Sequence, residues 1–189
     1  MNDHAQGQKT KQPAEEYDDL PTTPEQLFDI LQNLNISYEL YHHEAVFTVA
    51  ESEKIELDIP GTHCRNLFLR DKKKNMFLVV APHERQIDLK KLPGLIDSGR
   101  LSFGSADRLW ENLGVRPGSV CPFSIVNDTE HNVKIILDQC MMESEIVNYH
   151  PLLNTMTIGL SPQDLLKFIE NTNHTPYILD LRDARPEDS

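Results

Sequence analysis

Polar and apolar positions alternate most regularly between Asn66 and Val80. Leu67, Leu69, Phe77 and Val79 recur at period two on either side of the polar run Asp71 to Asn75. That pattern predicts two strands, 66–70 and 76–80, joined as a hairpin with a buried face. Upstream, Thr23-Pro24-Glu25-Gln26 is a helix start, with a capping threonine, proline in the first turn and glutamine three residues after the cap. Leu27, Ile30, Leu31 and Leu34 then repeat at helical spacing and predict a stripe packed on the core. Ser37 to His42 alternates as a strand. Thr48 and Glu51 form a capping box for a short helix through about Ile55.

Beyond the hairpin, the pattern predicts a short helix over 87–92, an extended piece over 100–103 and a helix capped by Ser105 and stopped by Gly114. Phe123 to Val126 and Val133 to Leu137 read as strands around a polar turn. Further strands are expected from Ile146, over 156–159 and over 175–180, with a last helix opened by Ser161 and Pro162. No segment repeats. Strands adjoin through short turns, which predicts an α+β fold with a mixed sheet rather than a βαβ array.

The 189 residues suffice for one domain with a sizeable core, and 39% hydrophobic with 25% charged residues is an ordinary globular balance. Residues 1–22 are polar and aperiodic and read as a disordered acidic tail; residues 182–189 read as a C-terminal tail. No apolar run approaches a membrane span and no apolar signal core opens the chain, so a cytoplasmic protein that meets no membrane is expected. Cys64, Cys121 and Cys140 are odd in number and far apart, which argues against a disulfide framework.

The net charge of −12 opposes bulk, sequence-blind nucleic-acid binding. The cations are uneven, however: 11 of 18 Lys and Arg residues lie between Arg65 and Arg116 against six acids, so a polyanion could dock there.

The histidines and cysteines form no close quartet and no His-x-x-x-His pair, so no metal and no cofactor is expected. Neither a hydrolase elbow nor a P-loop occurs. Cys121, in a loop shaped by Pro117, Gly118 and Pro122, is the best-placed thiol nucleophile, with His150 to serve it; it would equally fill a core as a small hydrophobe. Arg65 and Asn66 sit at the start of an apolar strand, where side chains are aimed by the sheet; a snorkelling cation and a turn-closing amide would look the same. Arg65-Asn66, the Gly118–Pro122 loop and the Asn148–Asn154 segment together offer a cation, backbone donors and a histidine. That set suits hydrolysis of an activated ester.

Three segments carry a resemblance: Arg65-Asn66-Leu67-Phe68-Leu69-Arg70-Asp71-Lys72-Lys73, Gly118-Ser119-Val120-Cys121-Pro122, and Val147-Asn148-Tyr149-His150-Pro151-Leu152-Leu153-Asn154-Thr155. In this order and spacing the chain, from about Thr23 to Leu181, resembles the freestanding prolyl-tRNA editing proteins of the YbaK-like aminoacyl-tRNA deacylase family. The resemblance implies a single domain over 23–181 built on a curved, barrel-like mixed sheet surrounded by helices. It implies hydrolysis of alanine wrongly attached to proline tRNA, without metal, helped by a hydroxyl of the terminal ribose and a bound water. Gly118 to Pro122, with Ser119 and Cys121 inside, would lie at the ester. Arg65 and Asn66 would hold the tRNA 3′ end. His150, beside Asn148, would border an amino-acid pocket with Phe47, Thr48, Cys121 and Pro122. The partners implied are the acceptor end of a mischarged tRNA and prolyl-tRNA synthetase.

Arg65 departs from the family's usual lysine; arginine keeps the charge but presents a planar fork. That departure keeps two alternatives in view: a deacylase for a cysteinyl or seryl ester, and an inactive tRNA- or synthetase-binding module.

Overall fold

Thr23 closes its capping box at both ends: its hydroxyl accepts from Gln26 N–H, and its own N–H donates to Gln26 Oε1 at 2.9 Å. Pro24 occupies the first turn of α1 (Pro24–Asn33), where a missing N–H costs nothing. The helix buries Leu27 and Leu31 completely, and Ile30 and Leu34 pack partly against the same core. The computed structural model describes residues 19–45, 54 and 58–186. The helix expected over Thr48 to Ile55, Lys54 apart, and Phe47 and Thr48 themselves, lie outside the described residues.

The remaining elements follow in order: β1 (Tyr38–His42), β2 (Thr62–Arg70), β3 (Met76–Pro82), α2 (Leu92–Ile96), β4 (Ser102–Phe103), α3 (Ala106–Leu113), β5 (Val133–Asp138), β6 (Val147–Tyr149), β7 (Met156–Leu160), α4 (Pro162–Asn171) and β8 (Tyr177–Leu179). The strands form one mixed sheet in the order β1-β7-β6-β2-β3-β5-β8, with β4 added on β2. The β1–β7, β7–β6, β2–β3 and β2–β4 pairs are antiparallel; β6–β2, β3–β5 and β5–β8 are parallel. The fold is the expected α+β single sheet with helices around it. The sheet does not close on itself, since β1 and β8 remain at its two ends.

The hairpin has two buried faces rather than one. Leu69, Phe77, Val79 and Ala81 join Leu92, Ile96, Leu101 and Ile136 on one side. Phe68, Leu78 and Val80 join Leu109, Phe123, Ile135 and Phe168 on the other. A strand packed on both sides reads as a continuous apolar run, as Phe77 to Ala81 does. Asp71 shapes the connection: its carboxylate accepts from the Asn75 N–H at 2.9 Å, the Asn75 amide at 2.8 Å and the Gly99 N–H at 3.3 Å.

Two elements differ from the expected ones. The helix over 87–92 is instead α2, which starts at Leu92 because Pro93 is tolerated only in a first turn. Phe123 to Val126 is no strand but part of a 3-10 turn, Pro122–Asn127. Its start is fixed by Ser124, whose N–H and hydroxyl both donate to the Cys121 carbonyl, at 3.2 and 2.6 Å. Packing also extends past the expected domain limits. Leu20 is buried, Thr22 donates to Asn127 Oδ1, and Leu181 and Ala184 of a last 3-10 turn are fully buried.

Candidate active site

The edge of β2 away from β3 is used at both ends and bare between them. Thr62 and His63 pair with β6, Leu69 and Arg70 pair with β4, and Phe68 O accepts from Gly104 N–H. Among the described residues no strand pairs there with residues 64–67. A cavity of about 240 Å³ opens at this split, lined by Cys64, Arg65, Asn66, His83, Gly118, Val120 and His150.

β2 supplies Arg65 and Asn66, which as strand neighbours leave on opposite faces. Each carries a buried polar atom without a hydrogen-bond partner among the described residues, Nε of Arg65, a donor, and Oδ1 of Asn66, an acceptor; Oδ1 of Asn148 in the neighbouring strand is a third. An unmade buried hydrogen bond costs about 1–3 kcal/mol, so each of these atoms calls for a partner beyond the described residues, such as a water.

The opposite wall is the 116–120 loop. Arg116 to Ser119 is a turn closed by the Ser119 N–H donating to Arg116 O at 3.0 Å. Pro117 presets its first corner and Gly118 takes φ +90 at its second, a conformation open to glycine and strained for other residues. Ser119 N–H is committed to that turn and Pro122 has none. Gly118 and Val120 line the cavity, and their N–H groups meet no backbone carbonyl among the described residues.

His150 follows β6. Its Nδ1–H donates to Met156 O at 2.8 Å, because a carbonyl can only accept, and Nε2 of the neutral ring is therefore the unprotonated nitrogen. Burial pushes its pKa below the ordinary 6.5, with the nearby His43 and His63 acting in the same direction, so the ring is neutral at pH 7. The His43 ring lies 5.9 Å away, held by Thr157 Oγ1.

Cys121 does not reach the cavity. It is fully buried, and burial raises its thiol to about 11. Cys64 does line the cavity, but burial raises its thiol to about 12. Neither is a thiolate at neutral pH. Pro122 is buried in the 3-10 turn, and Ser119 is buried against a neighbouring hollow with Leu20, Arg116, Leu153 and Asn154. Asn148 is packed into the sheet: its amide donates to Pro60 O at 3.0 Å, and its side chain lies against Gly61 and Gly159. The cavity thus gathers Arg65, Asn66, Gly118 and His150. Val120, within the loop expected at the ester, lines it too; Cys64 and His83 complete the lining, and neither had been assigned to it. The Cys64↔Pro82 register would have placed His83 there, because it is the next residue beyond the strand.

Among the described residues, no group of three or more His, Cys, Asp or Glu side chains could hold a metal ion, and no helix is long and apolar enough to cross a membrane.

The cleft at the split in the mixed sheet has a half-buried cation, Arg65, on one wall and the loop residues Gly118 and Val120 on the other, which suits an anionic ligand or an ester. The comparisons give the class. A model of the aminoacyl-tRNA editing domain matches residues 43–168, and the chain belongs to that family. It is an enzyme of the aminoacyl-tRNA deacylase class. It is 38% identical over 152 residues to the prolyl-tRNA editing protein ProX of Acetoanaerobium sticklandii, covering 80% of this chain and 93% of that one. It is 37% identical over 156 residues to prolyl-tRNA synthetase associated domain-containing protein 1 of Danio rerio, covering 82% and 85%. A solved structure provisionally described as a trans-editing enzyme for prolyl tRNA synthetase has a TM-score of 0.63 at 17% identity, covering 83% of this chain and 96% of that one, and shares the fold.

Proposed function

We propose that the protein removes alanine from mischarged proline tRNA in trans, in the cytoplasm, with prolyl-tRNA synthetase as the enzyme whose errors it corrects. The observation that carries this is the one small cavity that brings Arg65, Asn66 and His150 together with Gly118 and Val120 of the loop. Arg65 offers a charged donor to the phosphate or ribose oxygens of the 3′ end. Gly118 and Val120 N–H groups are the donors for the ester oxygen as it becomes negative. Water adds to the carbonyl carbon, the bond from that carbon to the ribose oxygen breaks, and the ribose oxygen regains a proton. The neighbouring ribose hydroxyl is well placed to pass it, so the reading needs neither a thiol nor a metal. His150, neutral and fixed by Met156, borders the acyl group and limits its size.

Size explains the need. A synthetase pocket built for proline gains only about 1–3 kcal/mol from the methylenes that alanine lacks, too little to exclude alanine. A second cavity can do so by admitting only the smaller residue. At about 240 Å³ this one is below the roughly 300–1,000 Å³ of pockets that enclose drug-sized ligands, which suits a small acyl group.

The test is release of labelled amino acid from proline tRNA charged with alanine, beside the same tRNA charged with proline or cysteine and a seryl-tRNA, with and without chelator. Loss of alanine alone, unaffected by chelator, is expected. Loss of cysteine or serine instead would move the specificity, and binding without release would make the protein a tRNA-binding module.

A further inference from the structure

The same edge of β2 that opens into the cavity continues to β4, and β4 ends on a ring in water. Phe103 is 63% exposed, more than any other large hydrophobic side chain described. A single exposed apolar residue is ordinary on a protein surface; the placement of this one is not. Phe103 stands opposite Leu69, four residues from Arg65 and so about 13 Å along the strand. Its position is braced from both sides. Gly99, just before β4, donates to the buried Asp71 carboxylate at 3.3 Å. Gly104, just after it, donates to Phe68 O at 2.9 Å and lies so close to the Phe68 ring that a Cβ would come within 2.4 Å of it. These contacts fix the backbone from which the exposed ring projects.

The surroundings are cationic. Arg70, Lys72, Lys73, Lys74, Arg100 and Arg108 lie on the hairpin turn and on either side of β4 in the chain, against Asp71, Asp97, Asp107 and Glu111, and the Asp71 carboxylate is turned inward. An aromatic face among arginines and lysines, in line with a cavity for an ester, fits a single-stranded polynucleotide: bases stack on the ring and phosphates meet the cations.

We propose that Phe103 is a stacking platform for a base one or a few nucleotides upstream of the terminal, aminoacylated nucleotide, and that β4 tracks the single-stranded 3′ end of the RNA away from the cavity. The proposal rests on the deacylase reading above. It makes Phe103 a positioning residue that acts on substrate binding and not on bond cleavage.

Two substrates separate these effects: alanyl-tRNA and alanyl-adenosine, which lacks every upstream nucleotide. Phe103→Ala and Phe103→Leu should each raise KM for alanyl-tRNA by roughly 5- to 100-fold with kcat unchanged. Hydrolysis of alanyl-adenosine should not change, and Phe103→Trp should restore the wild-type KM. An unaltered KM in Phe103→Ala, or full function in Phe103→Leu, would overturn stacking. A binding measurement covers the case in which the wild type hydrolyses no aminoacyl-tRNA. Uncharged tRNA carrying 2-aminopurine in its single-stranded 3′ segment should be quenched on binding the wild type and not on binding Phe103→Ala; equal quenching by both would sink the proposal.

Discussion

Arg65 holds a donor, Nε, that meets no acceptor among the described residues, so at this residue stability and function pull apart. Arg65→Met should keep the aliphatic packing and remove the unmet donor, raising the unfolding free energy by about 1 kcal/mol. It should also lower kcat/KM for deacylation by roughly 100-fold, whereas Arg65→Lys keeps the charge and loses only the fork. Chemical unfolding beside the release assay reads both. His150 carries a pH expectation. Its folded pKa lies below 6.5, so protonation falls first on the unfolded chain; stability from this group is intact above that value and declines as pH drops. The acid limb of kcat/KM should accordingly lie below pH 6.5, where the imidazole charges. In His150→Ala that limb should vanish and discrimination between acyl groups should weaken, more than the overall rate.

At the level of elements, the site depends on how β6 meets the start of β2. Gly61 takes φ +108, and a Cβ there would come within 2.9 Å of both the Asn148 amide and the Ile146 side chain. Gly61→Ala should therefore cost about 2 kcal/mol or more, seen as a lower urea midpoint, and should loosen the β2–β6 pairing beside the cavity. The hairpin, α1, α3 and α4 were legible in the sequence because each has its own punctuation: alternation around a polar turn, or a capping residue with proline or glycine at the ends. The 3-10 turn at Pro122 was not, since Phe123, Ile125 and Val126 around one serine suit a strand as well as a tight turn, and Ser124 bonding back to Cys121 decides it. Arg65, Asn66, Gly118 and His150 could be chosen from sequence as polar or glycine positions at strand ends. Asn148 and Cys121 looked equivalent to them, but neither lines the cavity: the Asn148 amide is tied to Pro60 within the sheet, and Cys121 is fully buried. Which side of a strand end faces the split is set by the sheet order, and no local pattern carries that.

For the whole molecule, acid is the expected weakness. Hydrogen bonds from Asn75, and then from backbone N–H groups, hold the Asp71 carboxyl below its ordinary 3.8. A depressed value means the folded state favours the carboxylate: this contribution is complete above the ordinary carboxylate range and is lost as pH falls through the depressed value. Because Asp71 links the hairpin turn to the segment leading into β4, its protonation should free that segment. Asp71→Asn should lower Tm at neutral pH and narrow the difference in Tm between neutral pH and about pH 3, compared with the unsubstituted chain.

The two walls of the cavity also differ in time. Behind one stands β3, bonded by β2 along one edge and β5 along the other, with Phe77 to Ala81 fully buried. Its amide protons can reach deuterated solvent only when the sheet itself opens, on the slow scale of global unfolding. The amides of Gly118 and Val120 sit on a loop, outside any strand ladder, and should exchange without that event. Followed over hours, hydrogen exchange should therefore show an anvil and a hammer: a strand wall that keeps its protons, and a loop wall free to settle on each ester as it arrives.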